Sequence, residues 1–224
     1  MLAAPRAFAA TQPKGIPWHP GYADLPPTVG DARFFTPEEA AAVDAMTARL
    51  IPADALGPGA REAGVTGFID RQLAGFYGRG QRWYMRGPFR DGTAEQGYQS
   101  SLPPAQLYRR ALAALDRHCR ERHGGEPFAN LAESVQDELL KALEDGELDL
   151  GQVSGKTFFT LLLDNAIEGF FGDPIYGGNR DMVGWRLVGF PGARYDYRPF
   201  IHHDGARISL EPVSLQGRPG WNSR

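Results

Sequence analysis

Two acidic side chains four residues apart are the first candidates for chemistry in this chain. Asp164 and Glu168 lie in its most apolar segment, and their i, i+4 spacing places them on one face of a helix. Such a pair can act as general acid and general base. The alternative is structural: the two carboxylates pair with Arg180 or Arg186 and accept hydrogen bonds from the loop that follows. We favour the structural role, because catalytic carboxylate pairs usually come from separate elements across a cleft.

Three other patterns resemble ligand-binding motifs but lack the required spacing or number of residues. Residues 151–157 (GQVSGKT) differ from a phosphate-binding loop because the glycines are one residue too close and no buried strand precedes them; we expect the cap and first turn of a helix. The run His202, His203 and Asp204 cannot converge on one metal in an extended segment. Cys119 is the only cysteine, so this chain alone holds no disulfide or iron–sulfur cluster. No catalytic, cofactor-binding or metal-binding residue is assigned.

The composition excludes two classes of protein. Among 224 residues, 24 are Lys or Arg and 27 are Asp or Glu, which gives a net charge of −3 and argues against a nucleic-acid binder. No apolar run reaches the roughly 18 residues of a membrane-spanning helix. Hydrophobic residues make up 42 % of the chain, enough for a core, whereas 28 Gly and 18 Pro indicate long ordered loops and tails.

The spacing of apolar residues predicts an all-α fold, a five- to six-helix bundle over residues 34–192. Thr36 and Glu39 form a capping box, with Pro37 at the first helical position. Later helices are predicted to begin near Thr66, to span 104–123, to begin at a Ser134 cap, to begin after Ser154 as the central helix, and to span 182–188. Residues 78–101 are predicted to form a long ordered loop.

Long extended arms are predicted at both ends, over residues 1–33 and 193–224. Residues 7–9 (AFA) have the form of a signal-peptidase site, so the N-terminus is interpreted either as the remnant of an export signal or as a segment without regular structure. Asp204 and Gly205 are predicted to turn a small hairpin. Large aromatic residues on these arms indicate contact with another protein, unless the arms fold back over their own bundle. The candidate interface residues are Trp18, Tyr176, Asn179, Arg180, Trp185, Tyr195, Tyr197, Phe200 and Trp221.

Four segments together resemble the gluconate 2-dehydrogenase subunit 3 family. They read FFTPEE at 34–39, LIPAD at 50–54, GVTGFID at 64–70 and, above all, EGFFGDPIYGGNRDMVGWRLVGFPG at 168–192. The similarity extends over residues 34–213. The family comprises the small subunits of bacterial, membrane-associated, flavin-dependent sugar and sugar-acid dehydrogenases.

This resemblance implies a function that depends on partner subunits. In the family a large subunit carries FAD and oxidises the sugar, and electrons leave through a cytochrome c subunit. FAD, an iron–sulfur cluster and haem c are therefore expected in partner chains and no cofactor in this one. The small subunit commonly carries a twin-arginine export signal and takes the folded large subunit across the membrane. The resemblance thus implies a periplasmic location, membrane-associated through the complex; no twin-arginine pair precedes residues 7–9, so we expect that signal upstream of Met1.

The sequence is consistent with two alternative functions. The first is a non-catalytic accessory subunit that stabilises and escorts a flavoenzyme. The second is an independent enzyme that uses Asp164 and Glu168 together with Arg180.

Overall fold

The computed structural model describes residues 34–90, 92–194, 196–202, 205 and 209–215. Within these residues there are six α-helices and no β-strand, which confirms the predicted all-α fold. The helices are α1 (Pro37–Leu50), α2 (Val65–Ala74), α3 (Pro104–Arg122), α4 (Glu133–Asp145), α5 (Gly155–Phe171) and α6 (Val183–Val188). The predicted N-terminal arm lies outside the described residues.

Helix α1 begins at the capping box that the sequence predicts. The Thr36 side chain accepts a hydrogen bond from the backbone N–H of Glu39 at 3.2 Å, and the Glu39 carboxylate accepts one from the N–H of Thr36 at 2.9 Å. Two otherwise unpaired N–H groups are thereby satisfied. The same helix buries Val43 and Met46 completely against the core.

Helix α5 is the centre of the bundle, as its almost entirely apolar sequence predicts. It contacts each of the other five α-helices. Phe158, Leu162 and Ala166 are completely buried along its length. Ser154 caps its first turn by accepting from the N–H of Thr157 at 3.2 Å, which confirms that residues 151–157 open a helix.

Helix α4 begins differently from the prediction. Its N-cap is Ala132, and Ser134 lies inside the first turn, so the predicted Ser134 cap is wrong. The side chain of Gln136 instead fixes the entry to the helix, because its amide donates to the carbonyls of Phe128 at 3.0 Å and Leu131 at 3.1 Å. This contact with the preceding turn overrides the local capping preference of serine.

The connection between α2 and α3 is ordered by its aromatic residues. Trp83 lies between Tyr77 and Tyr98, with ring centroids 5.5 and 4.8 Å away. The hydroxyl of Tyr98 donates to the carbonyl of Leu102 at 2.7 Å. This cluster holds the segment 78–101 beside α5, where it forms one wall of a cleft.

Part of the C-terminal tail returns to the helical bundle. Val213 is buried, and it pairs with the backbone on both sides of Gly192: the N–H of Ala193 donates to its carbonyl at 2.7 Å, and its own N–H donates to Pro191 at 3.3 Å. The N–H of Leu215 donates to the Asp173 carboxylate at 2.8 Å. Residues 209–215 therefore pack on their own domain. The turn residue of the predicted hairpin, Asp204, lies outside the described residues, but Arg198–Phe200 form a short 3₁₀-helix, so the strand predicted before this turn is wrong.

Two substitutions by Ala compare Thr36, which caps α1, with Ser134, which does not cap α4. We expect T36A to lower the free energy of unfolding by about 1 kcal/mol, because the backbone N–H of Glu39 loses its partner. The matched S134A variant is expected to change it by less than about 0.5 kcal/mol, since Ser134 is inside α4, where Ala is favoured. Urea unfolding followed by circular dichroism measures both; a larger loss for S134A would contradict this account of the two helix starts.

Candidate functional site

The segment 172–192, which carries the longest sequence motif, packs directly on the backbone of α5. A side chain at Gly178 would overlap the carbonyl oxygen of Gly169, and one at Gly184 would overlap that of Phe170. Glycine at both positions therefore allows backbone to lie against backbone.

Asn179 lies inside this segment and forms hydrogen bonds to its backbone on both sides. It is completely buried, its side-chain N–H donates to the carbonyl of Gly172 at 2.9 Å, and its side-chain oxygen accepts from the N–H of Gly184 at 2.9 Å. The backbone at Asn179, Asp181 and Met182 is left-handed, with φ of 45°, 56° and 56°. Such conformations are costly for residues other than glycine and persist only where the surroundings impose them.

Trp185 anchors the C-terminal part of the segment to α5. Its indole N–H donates to the carbonyl of Phe171 at 2.6 Å, and its ring lies 5.1 Å from that of Phe190. The side chain is 5 % exposed. The sequence analysis predicts a partner surface for Asn179 and Trp185. In the structure both side chains are buried, and they stabilise the conformation of the segment.

An apolar groove lies between α2 and α5, and the segment forms its rim. A concavity of about 460 Å³, which we call the α2–α5 groove, is lined by Phe68, Gln72, Ile167, Phe171 and Tyr176, with Gly172 and the carboxylates of Glu168 and Asp173 at its edge. Three of these side chains remain exposed: Ile167 by 44 %, Phe171 by 37 % and Tyr176 by 55 %. Exposed apolar side chains gathered in one place are typical of interaction sites.

The predicted pairing of the α5 carboxylates with arginine is wrong. Arg186 pairs with Glu211 at 2.9 Å, and the backbone N–H of Arg180 donates to Ala63 at 3.0 Å. In the described residues neither arginine has a bond to Asp164 or Glu168, because the segment carries both to the α2 and tail side of α5.

Asp164 and Glu168 instead line a cleft of about 1010 Å³ between α5 and the segment 78–101. Both carboxylates are exposed and project from the same helix face. Because they come from one wall, they do not flank a substrate from two sides as the carboxylates of an acid–base enzyme usually do.

A buried amide connects this cleft to the core. Asn165 is 2 % exposed; its side-chain oxygen accepts from the Tyr108 hydroxyl at 3.0 Å, and its N–H donates to the Tyr77 hydroxyl at 2.8 Å and to Glu168 at 3.3 Å. Burial raises the pKa of both tyrosines. Although part of Glu168 is exposed, partial desolvation of its carboxyl group raises its pKa, an effect that the bond from Asn165 opposes. The sequence signal for this network was a polar residue in the most apolar helix.

The remaining interface candidates lie on the tail. Tyr197 is exposed and Phe200 is half-buried, whereas Trp18, Tyr195 and Trp221 are outside the described residues. In the described part of the chain, no three His, Cys, Asp or Glu side chains gather where a metal ion could bind. No described helix is both long and apolar enough to cross a membrane.

Comparison with known proteins supports the family resemblance of the sequence. The model of a family described as "Gluconate 2-dehydrogenase subunit 3" matches residues 37–192. The chain belongs to the gluconate 2-dehydrogenase subunit 3 family. The match begins at the first residue of α1 and ends at Gly192, so it contains the whole bundle and the segment on α5. No curated protein and no solved structure matched the chain.

Asn179→Ala tests whether the segment depends on its buried amide. We expect N179A to lower the free energy of unfolding by at least about 2 kcal/mol, because the carbonyl of Gly172 and the N–H of Gly184 lose their partners. The exposed Asp181→Gly variant relieves a similar backbone angle without removing a buried bond, and we expect a change below about 1 kcal/mol. Urea denaturation compares the two variants. Equal small effects would show that Asn179 does not hold the segment.

Glu168→Gln tests the cost of charging this carboxylate beside the buried network. A carboxyl whose pKa is raised by folding binds its proton more tightly in the native state, so stability falls as the pH rises from the unfolded pKa through the folded pKa. We therefore expect E168Q to be more stable than the parent at pH 7, with the gain vanishing at about pH 4 and below. Urea unfolding at both pH values measures this, with Glu138→Gln on α4 as the control. A gain that is the same at both pH values would contradict it.

Proposed function

We propose that the chain is the non-catalytic small subunit of a periplasmic, flavin-dependent sugar or sugar-acid dehydrogenase, and that it stabilises and escorts the FAD-containing catalytic subunit. FAD and, in further subunits, an iron–sulfur cluster and haem c would carry the redox chemistry. The complex would attach to the membrane through its other subunits, and the twin-arginine signal would lie upstream of Met1.

The exposed α2–α5 groove on the family-matched bundle supports this proposal best. The bundle has a large hydrophobic core. It nevertheless leaves the side chains of Ile167, Phe171 and Tyr176 exposed to solvent. A subunit that functions in a complex gains by burying such surface against its partner. The segment that forms the rim belongs to the longest sequence motif of the family.

An independent enzyme built on Asp164 and Glu168 is the weaker alternative. Both carboxylates do line the larger cleft, beside aromatic residues. They stand on one helix face, however, and the Arg180 that was expected to join them lies on the other side of α5.

Deleting the gene for this chain tests the escort role in the cells that make the complex. We expect the large flavin-containing subunit to fall at least about tenfold in the periplasm, and the full-length chain supplied on a plasmid to restore it. Fractionation with flavin absorbance between about 350 and 550 nm measures the holo-subunit. Purified alone, the chain is expected to show no such absorbance.

The Asp164→Asn variant provides the control for the alternative function, because Asp164 lines the cleft and not the α2–α5 groove. An escort that does not use this carboxylate predicts normal dehydrogenase activity when the variant restores the complex. A flavin subunit that accumulates and is active without the chain would contradict the proposed function.

A further inference from the structure

Residues 209–215, which we call the strap, pack against the C-terminal end of the segment 172–192. The N–H of Ala193 donates to the carbonyl of Val213 at 2.7 Å. A side chain at Gly192 would overlap the same carbonyl, so glycine at this position allows the two backbones to lie in contact. Val213 is 7 % exposed. The strap therefore covers this end of the segment.

The strap also reaches the middle and the beginning of the segment. The Glu211 carboxylate pairs with Arg186 of α6 at 2.9 Å. Both of these side chains are more than half exposed, so their ion pair contributes little to stability. The N–H of Leu215 donates to the Asp173 carboxylate, at the edge of the α2–α5 groove, at 2.8 Å. One short piece of chain thus contacts the segment at its beginning, middle and end.

The apolar contacts of the strap are separate from the main hydrophobic core. Of the buried hydrophobic residues in the described part of the chain, Trp185 and Val213 are the two that do not belong to that core. They meet at Gly192, where a side chain would overlap Val213 and lie 2.9 Å from the Trp185 ring. The Phe190 ring packs on Trp185, with the ring centroids 5.1 Å apart. Small satellite clusters of this kind form under long loops.

This second cluster contacts the bundle at the last turn of α5. The backbone of Gly184 lies against the carbonyl of Phe170, and the indole N–H of Trp185 donates to the carbonyl of Phe171 at 2.6 Å. The main core, by contrast, gathers apolar side chains from helices α1 to α5. A region with fewer buried apolar contacts opens at a lower cost in free energy than the core of the same protein.

We propose that the strap and residues 183–194 form a latch, which opens and closes as one unit while helices α1 to α5 remain folded. The structure shows the closed state, in which Trp185 and Val213 are buried and the strap donates a hydrogen bond to Asp173. In the open state both apolar side chains meet solvent, and Asp173 loses that bond at the edge of the α2–α5 groove. The first half of the segment stays in place, because Asn179 is bonded to it from inside.

Hydrogen exchange of backbone amides, measured by mass spectrometry on the purified full-length chain, tests the latch. At urea concentrations below the unfolding transition, we expect the amides of residues 183–194 and 209–215 to exchange with one common dependence on urea. Their exchange should be at least about tenfold faster than that of the buried turns of α3 and α5 around Tyr108 and Leu162. Those amides exchange only when the bundle itself unfolds.

Two substitutions at the contact open the latch from either side. Val213→Asp should speed exchange at residues 183–194 at least about tenfold, because the closed state would bury an unpaired charge. Gly192→Ala should act in the same direction, because its side chain overlaps the Val213 backbone. Exchange in α3 and α4 should stay within about twofold of the parent. The matched control is Ile201→Asp, at a residue of the same tail that is 62 % exposed, and it should change neither region.

Three results would overturn the proposal. Unchanged exchange at residues 183–194 in V213D and G192A would show that the strap does not keep this region closed. Exchange that rises equally in α3 and α4 would show that the strap belongs to the folding unit of the bundle. Loss of the helical circular dichroism signal in V213D would show the same. The experiment uses this chain alone, so none of these results bears on the escort role.

Discussion

The direct contact between the segment 172–192 and the backbone of α5 determines the shape of the α2–α5 groove. It requires glycine at 178 and 184, and it forces left-handed backbone angles at three residues that are not glycine. The cost of those angles is offset by the buried bonds of Asn179 and by the indole of Trp185. The segment is therefore a fixed rim, and its outward residues Tyr176 and Arg180 have defined positions.

Three faces of helix α5 have different roles: one packs in the core, one lines the cleft and one lines the α2–α5 groove. One face carries Phe158 and Leu162 into the core. A second presents Asp164 and Glu168 to the cleft, with Asn165 tied to two tyrosines beneath them. A third leaves Ile167 and Phe171 exposed at the groove. The bundle, the cleft and the partner surface thus share one element, so a distortion of α5 would affect all of them.

Local patterns predicted what depends on local physics. The Thr36 capping box and the central position of α5 could be read from a few neighbouring residues. The start of α4 could not, because Gln136 fixes it through carbonyls earlier in the chain. Asn179 and Trp185 resembled loop residues free to meet a partner, since their burial arises only when the segment folds onto α5. The bond of Asn165 to Tyr108 joins residues 57 apart, and no pattern in the sequence connects them.

A cryo-electron-microscopy structure of the purified complex tests the central claim most directly. The account predicts that the FAD-containing subunit covers the α2–α5 groove, with apolar side chains against Ile167, Phe171 and Tyr176. The segment 172–192 should keep the backbone it has here. A complex in which this groove faces solvent while the partner binds another surface of the bundle would contradict the account.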